Sequence, residues 1–119
     1  MDRIAYKIIS KQIWRSQLES MKKFIGTDLD IKDGFIHLSA KAQLKETARK
    51  YFSGQDGLLL ISVDLSKVNG EVKWEPSRNN ELFPHIYGWF DASAVNWIKD
   101  LELTSDKSDF IYPPEVFDS

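Results

Sequence analysis

The chain has no cysteine among its 119 residues. A disulfide framework, a thiolate zinc site and a cysteine nucleophile are therefore excluded together. No apolar run approaches the roughly 20 residues that a membrane-spanning helix needs. Basic residues never gather into a block. Residues 1–60 carry 11 Lys and Arg against 7 Asp and Glu, and residues 61–119 carry 5 against 11. Generic nucleic-acid binding, which draws its affinity from clustered basic groups displacing counterions, is not expected. There is no G-x-G-x-x-G and no Walker loop, so neither a Rossmann dinucleotide site nor a P-loop is indicated. The N-terminal "MDRIAYKIIS" has charges inside its apolar stretch and no h-region. No secretory signal is read there, and a cytoplasmic location is the expectation.

What remains is an ordinary apolar share of 42% with an aromatic share of 13%, enough for one hydrophobic core built largely from rings in a single domain, 1–119. Residues 3–9 alternate and are rich in branched side chains, which predicts a strand. Ser10 is placed to cap a helix carrying Trp14, Leu18 and Met21 at i, i+4, i+7, with Gln17 as a polar gap in that stripe. "GTDLDIKDG" reads as a polar loop with turn chemistry at Asp33-Gly34. "FIHLS" reads as a strand, with Ser39 as the N-cap of a second helix. Leu44, Thr47, Ala48, Tyr51 and Phe52 fall on one face of that helix. "LLLISVDL" is a continuous apolar run, the mark of a central strand covered on both faces. "EVKWE" alternates, and "LFPHIYG" is extended, its proline confining it to a sheet edge or a strand start. A last strand lies in "SAVNWIKDLEL", and the tail from Asp106 reads as irregular. This order predicts an α+β fold with two helices on a largely antiparallel sheet.

Histidine is as scarce as cysteine is absent: His37 and His85 are the only two. Both stand in apolar, extended stretches. Alternation puts Phe35, His37 and Ser39 on one strand face, and Phe83, His85 and Tyr87 on one face of the other. Neutral imidazole donates from one nitrogen and accepts at the other, which suits a ribose hydroxyl pair. A histidine satisfied by a backbone carbonyl in the core is the competing reading. Glu75 stands at a strand end between Trp74 and Pro76, where a carboxylate can meet a developing positive charge or a sugar hydroxyl. Two histidines with no H-E-x-x-H or H-x-H spacing point to no metal.

Taken in order, "DGFIHLS", "TARKYF", "LLLISVDL", "VKWE" and "FPHIYG", with Trp14 before them and "IYPPE" after, resemble the bacterial family known as domain of unknown function 952. The resemblance implies a split-sheet fold like that of the ADP-ribosyltransferases. It also implies a nucleotide or another ribose-containing ligand, with no certain cofactor and NAD as one possible substrate, and transfer of ADP-ribose or action on a 2′-phosphate. In that superfamily an early-strand histidine followed by a small residue and Ser or Thr holds the ribose. His37-Leu38-Ser39 looks like this element, with Leu38 where glycine is usual. By order, Tyr51 or Tyr87 would stack on a base. His85 or Glu75 would stabilise the oxocarbenium-like centre, and Arg78 would meet a phosphate. The alternative on the same fold is a non-catalytic ligand-binding or protein-interaction module.

Overall fold

The apolar run becomes a strand, Leu58–Asp64, buried at every position. Its alternate side chains enter two different cores. Leu59, Ile61 and Val63 face one, and Leu58 and Leu60 face the other. The computed structural model describes residues 2–117, and around this strand it orders the chain as follows. β1 (Ile4–Ser10), α1 (Lys11–Met21), α2 (Asp28–Asp33), β2 (Ile36–His37) and α3 (Leu44–Phe52) precede the buried strand, β3. β4 (Asn69–Pro76), β5 (Leu82–Trp89), β6 (Val95–Leu103), β7 (Phe110–Ile111) and α4 (Pro114–Phe117) follow it. Every strand pair is antiparallel.

The strands form two sheets, β1-β3-β6-β7 and β2-β5-β4. The expected α+β architecture is therefore present, with α1 and α3 as its two long helices. One core fills the space between the sheets. Ala5, Ile9 and Ile61 from the larger sheet meet Ile36 and Ile86 from the smaller and Leu38 just past β2, with Trp14, Phe24 and Phe90 clustered beside them. The second core lies under α3, where Leu44 and Ala48 meet Leu60, Leu101 and Val116. On these helices Trp14, Leu44 and Ala48 are buried, while Phe52 is half-buried and Met21 exposed.

Four readings are corrected. "GTDLDIKDG" is not a loop but contains α2, closed at its start by a capping box. The Thr27 hydroxyl accepts from the Asp30 N–H while the Asp30 carboxylate accepts from the Thr27 N–H. Its end is Gly34 in the left-handed region, φ 88°, where glycine meets no Cβ penalty. Ser39 caps no helix, because its hydroxyl pairs with Thr47 instead, at 2.9 Å. The tail is ordered, adding β7 and α4 and burying Phe110 and Val116.

The fourth correction concerns Pro84, which lies in the central strand of the smaller sheet rather than at an edge. Its carbonyl accepts from Leu38 N–H. The imide nitrogen of Pro84 therefore also points toward the β2 side, past the short Ile36–His37 ladder. The β4 ladder never needs that missing donor.

Leu44 is fully buried. Leu44→Ala should cost about 2–5 kcal/mol in chemical denaturation through lost burial and a residual cavity. A loss under about 0.5 kcal/mol, the range of surface changes, would contradict this packing.

Candidate functional site

Lys7 is the one charged residue in β1, and strand parity aims it at the core between Ala5 and Ile9. Its ammonium is buried and donates to both Asp30 carboxylate oxygens, at 3.1 and 2.9 Å, and to the His37 carbonyl at 2.8 Å. Burial pulls the Lys7 pKa down, opposed by Asp30. Burial pushes the Asp30 carboxyl up, but the His37 hydrogen bond, the Lys7 charge and the helix cap overcome it and hold the group well below the usual carboxylate range. Asp30 is thus an ionised acceptor inside the core. Gly26 (φ 125°) makes room for it, since a Cβ there would lie 2.8 Å from the Asp30 Cβ.

Asp30 also fixes His37. It accepts from the His37 backbone N–H at 3.1 Å and from ring Nδ1–H at 2.6 Å. The other nitrogen, Nε2, lies 2.9 Å from Asp33 Oδ2. Both ring nitrogens thus face carboxylates, which corrects the picture of His37 as a free donor and acceptor for a hydroxyl pair.

His85 sits directly opposite His37 in the β2–β5 register, the ring centroids 5.6 Å apart. Phe35 stacks on its ring at 4.1 Å. Nδ1–H donates to Glu75 Oε1 at 2.8 Å, and the same oxygen accepts from Tyr87 O–H at 2.6 Å. These two donors, Tyr87 foremost, lower the Glu75 pKa, and Glu75 raises that of Tyr87. Burial lowers the His85 pKa, against the opposing pull of Glu75. The ring is therefore neutral at pH 7 with its hydrogen on Nδ1, and Nε2 holds a lone pair.

A cavity of about 760 Å³ opens between β1, α2 and α3 and is lined by Lys7, Asp30, His37, Ser39, Tyr51, Arg78 and His85 among others. Glu75 and Tyr87 do not line it, so they stand behind His85 as positioning groups. Of the residues expected at the ligand, Glu75 and Tyr87 are the two placed outside the cavity lining. Tyr51 is on the rim, about half exposed. The Arg78 guanidinium lies over the Phe83 ring at 4.8 Å and near the Tyr51 ring at 5.6 Å. Its Nη2 donates to Thr47 Oγ1 at 2.8 Å, and Nη1 is buried without a hydrogen-bond partner among the described residues.

Five expected residues, His37, Ser39, Tyr51, Arg78 and His85, thus share one cavity. Lys7, Asp30, Asp33 and Thr47 were missed. The Thr27-x-x-Asp30 spacing was a readable capping box, and Lys7 broke the inward row of an otherwise apolar strand. Among the described residues no group of three His, Cys, Asp or Glu is arranged to hold a metal ion.

Two outcomes follow for stability. Asp30→Asn should destabilise by about 3–5 kcal/mol, because it leaves the Lys7 charge buried without its partner. An effect under about 1 kcal/mol would mean that Lys7 escapes to solvent. His85 binds its proton less readily folded than unfolded, so the unfolded state takes up protons first as the pH falls. Its contribution should be present above the ordinary histidine value of 6.5 and be lost as the pH drops below it. Denaturation midpoints from pH 8 to 5 should show this slope in the parent and a shallower one in His85→Gln.

The family model described as "Protein of unknown function (DUF952)" matches residues 8–98, a span containing both histidines, Asp30, Glu75 and Arg78. Among solved structures, the X-ray structure of CC0527 from Caulobacter crescentus is 40% identical with a TM-score of 0.81, covering 89% of this chain and 92% of that one. The solution NMR structure of the same protein is 39% identical with a TM-score of 0.77, covering 91% and 92%. Both are structural genomics targets. No curated protein matches. With its model spanning most of the chain and these relatives sharing the fold, the chain belongs to the DUF952 family of proteins of unknown function.

Proposed function

We propose that the cavity binds a small anionic ligand bearing ribose, a nucleotide or a nucleotide derivative such as NAD. The observation that carries this reading is Arg78. A buried guanidinium nitrogen without an acceptor is costly, and here it lines a cavity beside two aromatic rings. A planar guanidinium held in this way suits phosphate, which it meets with two parallel hydrogen bonds. Thr47 already takes one of its donors, which leaves Nη1 for the ligand.

The other roles follow from position. Tyr51 on the rim offers a face for a base. Neutral His85 accepts a hydrogen bond from a ribose hydroxyl at Nε2, and Ser39 lies beside it in the lining. His37 reaches the ligand only by exchanging Asp33, whose carboxylate is 38% exposed, for a ligand oxygen. Such ligands abound in the cytoplasm, where this reading places the protein. Kinship with the ADP-ribosyltransferases is part of the proposal.

A second reading, group transfer rather than binding alone, is favoured by the Tyr87–Glu75–His85 chain. A carboxylate behind an imidazole fixes its tautomer and steadies the cation formed when the ring takes a proton. In ADP-ribosyl transfer from NAD, His85 would accept the proton of the attacking hydroxyl as that oxygen bonds the ribose anomeric carbon and the bond from that carbon to nicotinamide breaks, nicotinamide leaving as the neutral base. A non-catalytic module would bind the same ligands and turn none over.

Thermal-shift measurements with ribose 5-phosphate, AMP, ADP-ribose and NAD test the binding reading, since a ligand of the folded state raises its stability. At least one should raise Tm. Arg78→Ala should weaken that ligand about ten- to 150-fold, the loss of a charged hydrogen bond. No shift with any of them, or unchanged affinity in the variant, would sink the proposal.

A further inference from the structure

Backbone parity in β1 leaves one residue's hydrogen-bonding groups open to the cavity. Arg3 O and Lys11 N bond toward the β3 side, so odd-numbered residues of β1 face β3. Even-numbered residues face the other way. Tyr6 does so and exchanges both backbone hydrogen bonds with Ser39. In an antiparallel ladder the next such pair would be Ile8 with His37.

That pair does not form. The His37 N–H is taken by Asp30 and its carbonyl by the Lys7 ammonium. β2 has turned away to pair with β5. The N–H and C=O of Ile8 consequently have no hydrogen-bonding partner among the described residues. Ile8 is only 5% exposed, yet it lines the cavity. A donor and an acceptor from one residue are thus presented side by side on the cavity wall.

We infer that Ile8 reads the planar amide edge of the ligand, a nucleobase edge, a lactam or a primary carboxamide, through its backbone N–H and C=O. The inference rests on the nucleotide reading for the rest of the ligand and adds what the anion and ribose contacts leave unspecified. A ligand carbonyl accepts from Ile8 N–H, and an adjacent ligand N–H donates to Ile8 C=O. An added peptide strand is the other occupant of an open sheet edge. The opening is too short for one. The Tyr6–Ser39 bridge closes it on one side and α1 begins at Lys11 on the other, leaving only Ile8 and Ser10 between. Strands usually need three residues or more. The lining nearby, Ile9, Ile13, Leu29 and Leu58, is apolar and suits a flat ring.

The test uses the full chain labelled with 15N and two small probes, 2-pyridone and N-methyl-2-pyridone. The first has the paired acceptor and donor, and the second has the donor blocked. 2-Pyridone should move the Ile8 amide resonance downfield and slow its hydrogen exchange. N-methyl-2-pyridone should bind roughly five- to tenfold more weakly, the loss of one neutral hydrogen bond. Equal affinity for both, or an Ile8 amide that does not respond, overturns the inference. Ile8→Pro removes the N–H that the carbonyl of either probe would use, keeps the C=O and spares the β3 ladder, so it should weaken both probes about two- to tenfold and leave the preference for 2-pyridone in place. If that variant fails to fold, the Ile8 amide of the parent protein decides. Ribose 5-phosphate has no amide and reports on the anion-and-ribose reading alone. Its failure to raise Tm would count against that reading and leave the pyridone result to be judged by itself.

Discussion

The Lys7–Asp30 ion pair is the wedge on which the site is built. A buried pair is seldom a net source of stability, since desolvation cancels much of its attraction. Here its work is geometric. Its two members take the backbone N–H and C=O of His37, which would otherwise extend the β1–β2 pairing begun at Tyr6 and Ser39. The sheet divides at that point, and the cavity occupies the division. The same carboxylate starts α2 and orients the His37 ring. One acidic side chain therefore sets a helix, a strand and an imidazole in fixed relation.

The two histidines show how much environment outweighs residue type. They are cross-strand neighbours on one face, yet they have different chemistry. His37 is held at both nitrogens by carboxylates of α2. His85 has one carboxylate behind it, a phenyl ring on its face and its remaining nitrogen unclaimed. A polar residue whose valences are filled by its own chain is structural first, and one with a spare lone pair at a cavity wall is available for ligand.

Much of this was legible from local pattern. The run Leu58–Asp64 announced a strand covered on both faces because apolar residues occupy both its parities, and Leu44 with Ala48 announced a buried helix face by their spacing. What was not legible depended on partners distant in sequence. Pro84 is tolerated in a central strand only because β2 stops short of it, and nothing near the proline encodes that. Gln17 read as a gap in an apolar stripe, yet its amide donates to Gly26 O and accepts from Ile25 N–H, pinning the segment that leads into α2. Lys7 and Asp30 lie 23 residues apart and become a pair only in three dimensions. The capping box of α2 was local and was passed over because its polar residues resembled turn chemistry.

Among the described residues one isolated bridge, Tyr6 with Ser39, links the larger sheet to the chain leaving β2, and a second, Phe24 with Phe90, ties the α1–α2 connection to the end of β5. The shared core and the Lys7–Asp30–His37 network do the rest of the joining. Subglobal openings follow the lines of fewest backbone bonds, and in this molecule that line runs through the cavity. A solute wedging the cavity wider would therefore strain side-chain contacts of the shared core and leave the β1, β3 and β6 ladders intact.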